Sequence, residues 1–322
     1  MINYSEVLNP TVSQIKPSGI RKFFDIAATM DDVISLGVGE PDFQTPWLVR
    51  KAGIASLERG KTKYTSNKGL EPLCSEISKY TKRKYNVEYD PQNEILVTVG
   101  GSEAIDVAIR ALVCPGDEVI IPQPSYVCYE PMAAIAGAVP VIIETRAQDD
   151  FKLTPELLRA AITPRTKALI LPYPCNPTGA IMERDDLLAI AEVLRDTNII
   201  VISDEIYSEL TFGGERHVSI ASIDGMRERT ILVNGFSKAF SMTGWRLGYA
   251  VGPAPILAQM TKLHQYGIMS APTTAQYAAI EALRACDEEV AAMVEEYDAR
   301  RRIIVKGFND IGLPCREPKG AF

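Results

Sequence analysis

The chain has 322 residues, of which 46% are hydrophobic and 23% charged. These proportions are typical of a globular protein with a sizeable core, and they exclude a disordered chain, a fibre and a disulfide-stabilised miniprotein. The 34 basic and 41 acidic residues leave a formal charge of −7, and the basic residues form no stripe. Nucleic acid is therefore not an expected partner, whereas a small molecule is.

The apolar segments are too short for a membrane protein. The longest run, residues 132–143, contains Pro140 and falls well below the roughly 18 residues that a spanning helix requires. The N-terminus lacks the continuous apolar segment of a signal peptide. We therefore expect a soluble, cytoplasmic protein without a membrane partner.

Neither the cysteines nor the histidines suggest a metal site. The six cysteines show no C-x-x-C spacing and are predicted to be packing residues. His217 and His264 do not stand in a cluster of carboxylates or cysteines. A zinc site or a histidine-based triad is not expected, and both histidines are predicted to be structural.

Short β-branched segments alternate with helical patterns from about Glu94 onward. Strands are predicted at residues 95–99, 118–122, 139–143, 168–171, 199–203, 230–233 and 247–251. Segments of helical period lie between most of them, for example at 103–112, 155–161 and 184–194. This alternation predicts an α/β fold with a mostly parallel seven-stranded sheet between helices.

The two ends of the chain lack this alternation. The first 45 residues show no strand–helix rhythm, and the last part is predicted to be a long helix from Glu288 to about Asn309. We expect residues 46–285 to form a large ligand-binding domain. Residues 1–45 and 286–322 are expected to form a smaller domain together.

Ligands of open α/β sheets bind beyond the carboxyl ends of the strands, so the residues that follow each strand are candidates. Gly100, Gly101 and Ser102 follow the first predicted strand and open a helix, which resembles half of a phosphate cradle. Neither G-x-G-x-x-G nor a Walker A motif is present, so alone this is a glycine turn. Tyr126 follows the second strand and could stack on a planar ligand, although alone a core tyrosine is the stronger interpretation.

Three more strands end in polar residues. Asn176 lies in a turn, and Asp204 ends a doubly buried strand, where a carboxylate needs a cationic partner. Tyr207 follows three residues later. Lys238 follows the next strand, eight residues before Arg246. Each has an ordinary explanation alone: a loop asparagine, a structural ion pair and a surface lysine.

Together these residues specify one site, because the fold brings all of the strand ends to one crevice. The site combines a phosphate cradle, an aromatic stacker, a buried carboxylate, a lysine and an arginine. This set of groups matches one kind of ligand, a planar heteroaromatic phosphate that carries an aldehyde. The aldehyde would form an imine with the lysine, and the ring nitrogen would pair with the carboxylate. The predicted cofactor is pyridoxal 5'-phosphate.

Residues 235–248, GFSKAFSMTGWRLG, resemble the lysine motif of class I, aspartate aminotransferase-like, pyridoxal phosphate-dependent aminotransferases of fold type I. Nearly the whole chain shares the order and spacing of the family's motifs, which are found here at 37–42, Tyr64, 100–102, 176–179 and 204–207. The resemblance implies an aminotransferase that moves an amino group from an L-amino acid to a 2-oxo acid. It also implies a large fold type I domain, a small domain built from both chain ends, and a homodimer.

The resemblance also implies a role for each site residue. Lys238 would form a Schiff base with the cofactor, and Asp204 would pair with the pyridinium nitrogen of the cofactor. Tyr207 and Asn176 would both bind the phenolic oxygen of the cofactor. The catalytic residues would be Lys238, Asp204 and Tyr207. Gly39 and Asn176 would bind the substrate. The cofactor-binding set would be Gly100, Gly101, Ser102, Tyr126, Asn176, Asp204, Tyr207, Ser237, Lys238, Arg246 and, reaching the phosphate of the partner subunit, Tyr64.

Two departures from the family pattern stand out. Many relatives carry a serine phosphate ligand at the position of Gly235. Relatives also continue for some tens of residues beyond a strand that begins like 318–322, and the arginine that holds the substrate α-carboxylate lies in that extension. We therefore expect a shortened chain or a naturally truncated relative, with a C-terminally incomplete small domain and weakened substrate binding, unless another arginine such as Arg21 holds the carboxylate.

Other functions share part of this pattern. A carbon–sulfur β-lyase uses the same cofactor up to the carbanion, and it would release ammonia and pyruvate from a cysteine conjugate. A truncated cofactor-binding protein with little catalysis would bind the cofactor without responding to amino acids. A nicotinamide dehydrogenase is a more distant alternative, because the glycine fingerprint is missing.

Overall fold

A computed structural model describes residues 2–17, 19, 26, 29–30, 32 and 39–321. Arg21, Gly37 and Val38, which the sequence analysis names alone or within a motif, lie outside these residues. None of the described helices combines the length and the apolar character needed to cross a membrane.

Within the described residues, seven strands form one sheet. They are β1 (Ile95–Thr98), β2 (Glu118–Gln123), β3 (Val139–Glu144), β4 (Thr166–Leu171), β5 (Ile200–Asp204), β6 (Thr230–Gly235) and β7 (Gly248–Val251). Each lies within two residues of its predicted bounds, because runs of β-branched residues define these segments clearly. Six of these strands are largely buried, whereas β3, at the edge of the sheet, is mostly exposed or half-buried.

The strand order is β1-β7-β6-β5-β4-β2-β3. The pairs among β2, β3, β4, β5 and β6 are parallel, and β7 is antiparallel to both of its neighbours, β1 and β6. The predicted mostly parallel sheet is therefore confirmed. Because only β7 runs in the opposite direction, the carboxyl ends of the other six strands lie at one edge.

Helices lie on both faces of the sheet, and two short N-terminal helices have no buried residues. The helices are α1 (Tyr4–Val7), α2 (Pro10–Gln14), α3 (Trp47–Glu58), α4 (Glu71–Tyr85), α5 (Gly101–Leu112), α6 (Tyr129–Ile135), α7 (Pro155–Ala161), α8 (Arg184–Leu194), α9 (Ala254–Gly267), α10 (Thr273–Ala285) and α11 (Asp287–Asp310). The predicted helices 155–161 and 184–194 match their observed bounds. The long C-terminal helix extends one residue beyond its predicted range at each end.

Successive side chains of β5 point to opposite faces of the sheet. Ile202 packs in a hydrophobic cluster with Ile105 of α5 and Tyr129 of α6. Val201 packs on the opposite face, with Leu187 of α8. Because successive side chains of a strand point to opposite faces, even-numbered positions of β5 face α5 and α6.

The cysteines differ in part from the prediction that all six are packing residues. Cys74, Cys175 and Cys286 are buried free thiols, whereas Cys128 and Cys315 are half-buried. Cys114 is exposed, because it lies in the polar turn between α5 and β2, where its backbone N–H donates to Asp117. The apolar neighbours of Cys114 in the sequence do not enclose it.

Candidate active site

A glycine-lined cradle lies where β1 meets α5. Gly100 has a φ of +81°, and a Cβ added to it would lie 2.9 Å from Nη2 of Arg246. A Cβ on Gly248 would lie 2.6 Å from the carbonyl carbon of Gly100 and 2.7 Å from the nitrogen of Gly101. The start of α5 has no side-chain cap. Its first N–H groups and the adjacent guanidinium form a suitable phosphate site.

Asp204 ends β5 at the same edge of the sheet and is 7% exposed. The Tyr129 hydroxyl donates to its Oδ2 at 2.7 Å, and the Ile206 N–H donates to its Oδ1 at 3.2 Å. Burial raises the pKa of Asp204 to about 6. Over the described ranges, no lysine, arginine or histidine lies within ion-pair distance of this carboxylate. A protonated ring nitrogen fits here, because it would supply the cation that such a carboxylate needs.

Lys238 lies just beyond β6. Its Nζ donates to the carbonyl oxygen of Gly39 at 2.6 Å and lies 5.8 Å from the centroid of the Tyr207 ring. The Tyr207 hydroxyl in turn accepts a hydrogen bond from Nδ2 of Asn176 at 3.2 Å. Burial lowers the pKa of Lys238. A lowered lysine pKa increases the fraction of neutral amine, which is the nucleophilic form.

Tyr126 borders both the cradle and the buried carboxylate. Its ring stands edge-on to that of Tyr129, with centroids 6.0 Å apart, and it remains 42% exposed. Burial raises the pKa of Tyr126, and a hydrogen bond with Ser102 offsets part of this increase. An exposed aromatic face between a phosphate cradle and a carboxylate is suited to stacking on a planar ring.

Ser237, Tyr64 and Gly235 are the other positions that the sequence analysis singles out. Ser237 is buried, and its carbonyl accepts from the Met242 N–H at 3.2 Å, in the turn that carries Lys238. Tyr64 is 81% exposed on the loop between α3 and α4. At Gly235, an added Cβ would lie 3.0 Å from the Cα of Gly248. The close approach of β6 and β7 therefore leaves little room for a side chain at Gly235.

Both histidines contact carboxylates that the local sequence does not reveal. Nε2 of His217 lies 2.7 Å from Oε2 of Glu205, and Nδ1 of His264 lies 2.6 Å from Oε1 of Glu103. The second pair is 161 residues apart in the chain. The part of the chain that the structure describes contains no group of residues suited to a metal ion.

Sequence reasoning missed Tyr129. The signal was its position three residues after Tyr126: Tyr126 lies in the loop that follows β2, and Tyr129 is the first residue of α6. Because its hydroxyl is a direct donor to Asp204, it stabilises the ionised carboxylate and lowers the pKa of Asp204.

Changing Tyr129 to phenylalanine should reduce kcat by about tenfold to a hundredfold, the range for one hydrogen bond to a charged group. The measurement is kcat of the transamination that the sequence predicts, with substrate and cofactor at saturation. Tyr173→Phe is a matched control, since it removes a buried hydroxyl that donates to the Phe151 carbonyl at 2.9 Å. Equal losses in the two variants would show that the Tyr129 hydroxyl has no specific role.

Asp204→Asn should stabilise the cofactor-free protein at high pH. The folded-state pKa of Asp204 is about 6, above its ordinary value of 3.8. Ionisation of this group therefore costs folding stability, in full above about pH 6 and not at all below 3.8. At pH 8 the variant should be more stable by up to about 3 kcal/mol, and near pH 4 the difference should vanish. Urea unfolding measures this, and a pH-independent difference would contradict it.

Comparison with known proteins shows similarity over almost the entire chain. The family described as aminotransferase class I and II matches residues 31–322. The Bacillus subtilis protein YugH is 52% identical over 98% of this chain and 81% of its own length. The aspartate aminotransferase of Pyrococcus abyssi is 46% identical over 96% of this chain and 80% of its own length.

Solved structures show the same similarity. The crystal structure of the aspartate aminotransferase from Rhizobium meliloti superimposes with a TM-score of 0.94 at 38% identity. The match covers 98% of this chain and 80% of that chain. Because the named relatives are aminotransferases, the comparisons favour transamination over the β-lyase and over the non-catalytic cofactor-binding protein.

Proposed function

Because the chain belongs to the class I and II aminotransferases and is a pyridoxal phosphate-dependent transaminase, we propose a role for each residue of the site. Lys238 is the residue that bonds covalently to the cofactor, Asp204 pairs with the ring nitrogen, and Tyr207 and Asn176 bind the phenolic oxygen. The observation that carries this proposal is Asp204, a buried carboxylate with two donors and no cation among the described residues.

The phosphate end is proposed to lie against Gly100, Gly101, Ser102, Ser237 and Arg246, with Tyr126 against the ring. When bound, the cofactor acts as an electron sink for the electron pair that remains on the substrate α-carbon. Lys238 Nζ would remove the α-proton and return it two atoms away, in a 1,3-shift, and Asp204 would hold a proton on the ring nitrogen. Gly39, whose carbonyl accepts from Lys238, borders the substrate together with Asn176.

Aspartate is proposed as the amino donor, because close relatives are named for it. The test is a panel of aspartate, glutamate, phenylalanine and tyrosine with a common 2-oxo acid acceptor, read as kcat/KM. Formation of a 2-oxo acid only in the presence of the acceptor supports transamination. A preference for phenylalanine would contradict the proposed donor, and release of ammonia from a cysteine conjugate would instead indicate a lyase.

A homodimer is proposed, supported by exposed apolar side chains on α3 and at the end of α9. Trp47, Leu48, Ile54 and Leu57 of α3 are exposed, as are Tyr266 in the last turn of α9 and Ile268 and Met269 just beyond it. The Asn67 side chain donates to the Met269 carbonyl, and the Thr273 hydroxyl donates to the Lys63 carbonyl. These hydrogen bonds join the two loops into one surface. Such an apolar patch is typical of a subunit interface.

In this dimer, Tyr64 binds the phosphate of the partner subunit's cofactor. Tyr64→Phe is therefore expected to weaken pyridoxal phosphate binding by about fivefold, the scale of one hydrogen bond. Tyr266→Phe, on the same surface, is the control and should leave the affinity unchanged. Sedimentation should give the mass of two chains, and a monomer that binds the cofactor tightly would contradict the dimer.

We propose that residues 46–285 form the large domain and that 1–45 and 286–322 form the small one, which limited proteolysis between them would test. A cytoplasmic location is supported by the free thiols, since a reducing compartment preserves them. Cell fractionation would test the location.

A further inference from the structure

Glu205 follows Asp204 directly and has a fully buried side chain that the proposed function does not use. Its Oε1 accepts hydrogen bonds from the hydroxyls of Ser203 at 2.8 Å and Ser219 at 2.7 Å. Its Oε2 lies 2.7 Å from Nε2 of His217. A carboxylate without hydrogen bonds would be costly in this environment, and here three side chains supply them.

Hydrogen bonds of Glu205 connect the end of β5 to β6 and to the segment that contains His217 and Ser219. The backbone N–H of Glu205 donates to the Val233 carbonyl of β6 at 2.8 Å. Its side chain binds His217 and Ser219, which lie in the segment before the turn at Ile220–Ser222. The Ser219 hydroxyl also accepts from the Ala221 N–H at 3.3 Å, which fixes that segment.

Asp204 and Glu205 are neighbours on opposite faces of the strand end. Asp204 contacts Tyr129, on the face that β5 presents to α6. The charge of Glu205 contributes to the raised pKa of Asp204, after the larger effect of burial. Because the two residues share a peptide bond, movement of the Glu205 anchor would change the direction of the Asp204 carboxylate.

We propose that Glu205 is a positioning residue, whose three side-chain hydrogen bonds hold the end of β5 so that Asp204 is aimed at the ring nitrogen of the cofactor. This inference rests on the proposed role of Asp204. A charge-assisted hydrogen bond requires close alignment, and small displacements weaken it strongly. Glu205 itself touches neither the substrate nor the cofactor.

The test measures binding of two cofactors to the cofactor-free protein. One is pyridoxal phosphate, and the other is its 1-deaza analogue, in which a C–H replaces the ring nitrogen. Both carry the aldehyde and the phosphate, so the ratio of their dissociation constants isolates the contact with Asp204. The wild-type protein should prefer pyridoxal phosphate by about a hundredfold.

In Glu205→Gln, this preference should fall by about tenfold, with the affinity for the deaza analogue changed by less than about twofold. Ser219→Ala leaves the carboxylate with two donors and should lower the preference by about threefold. Loss of the Glu205 charge by itself favours ionised Asp204, so a lower preference reports displacement and not the change in charge.

Glu118→Gln is the matched control. Glu118 is a buried carboxylate at the start of β2, at the end of the sheet opposite the crevice. It accepts hydrogen bonds from the Thr163 hydroxyl and the Arg165 guanidinium at 2.5 Å each. This variant should lose stability and keep the cofactor preference. A merely structural role for Glu205 would give the same result in Glu205→Gln.

The outcomes are distinguishable. An unchanged preference in Glu205→Gln overturns the inference, and if that variant does not fold, an unchanged preference in Ser219→Ala overturns it. No preference in the wild-type protein would instead refute the pairing of Asp204 with the ring nitrogen, and the role of Glu205 with it. A wild-type preference that survives in both variants leaves the proposed function intact.

Discussion

Lys238→Ala should abolish transamination, with kcat lowered by at least about 10⁴-fold, because the variant lacks both the nucleophile and the general base. The fold should persist, since Lys238 lies on a turn after β6 and is not part of a hydrophobic cluster. Noncovalent cofactor binding should also persist, because Arg246 and the cradle remain. The measurements are kcat with a saturating donor and cofactor affinity by absorbance titration.

Lys262→Ala is the control for this variant. Lys262 is an exposed lysine of α9 whose Nζ donates to Gln259 at 2.9 Å. Its replacement should leave kcat unchanged. If Lys238→Ala kept a substantial fraction of the wild-type kcat, the role of Lys238 as both nucleophile and base would be refuted.

Asp204→Asn should lower kcat by about 10²- to 10³-fold, the scale for loss of one preorganised electrostatic contact at a reacting group. An amide cannot hold a proton on the ring nitrogen, so the ring withdraws electrons less effectively. The same substitution should raise the stability of the cofactor-free protein above pH 6. Activity and stability therefore change in opposite directions, as expected for a residue whose burial serves catalysis.

Asp117→Asn is the control for the second variant. Asp117 lies next to the start of β2, where its Oδ2 accepts from the Cys114 N–H at 2.8 Å. This substitution should lower stability slightly and leave kcat unchanged. Near wild-type turnover in Asp204→Asn would refute the pairing with the ring nitrogen.

The sheet could be predicted from sequence because its strands are short β-branched runs, most of them buried on both faces. Residues 199–203 illustrate this, since only a doubly covered strand contains so continuous an apolar segment. The crevice followed from the rule that ligands bind at the carboxyl ends of parallel strands. The same rule identifies Asp204 and Lys238 as site residues from their positions after β5 and β6.

Contacts between distant segments could not be predicted in this way. The Tyr129 hydroxyl meets Asp204 across 75 residues of sequence, and Lys238 meets the Gly39 carbonyl across 199. Such pairs depend on how α6 and the segment before α3 pack, which local patterns do not encode. The burial of Glu205 with His217 likewise depends on the path of the loop after β5.

The most direct test of the central claim is borohydride reduction of the protein with bound pyridoxal phosphate, followed by proteolysis and peptide mapping. Reduction makes the bond between cofactor and lysine permanent, so the labelled residue is identified by mass. We predict a single label, on Lys238, in the peptide that contains GFSKAFSMTGWR. A label on another lysine, or no label at all, would contradict the proposed site.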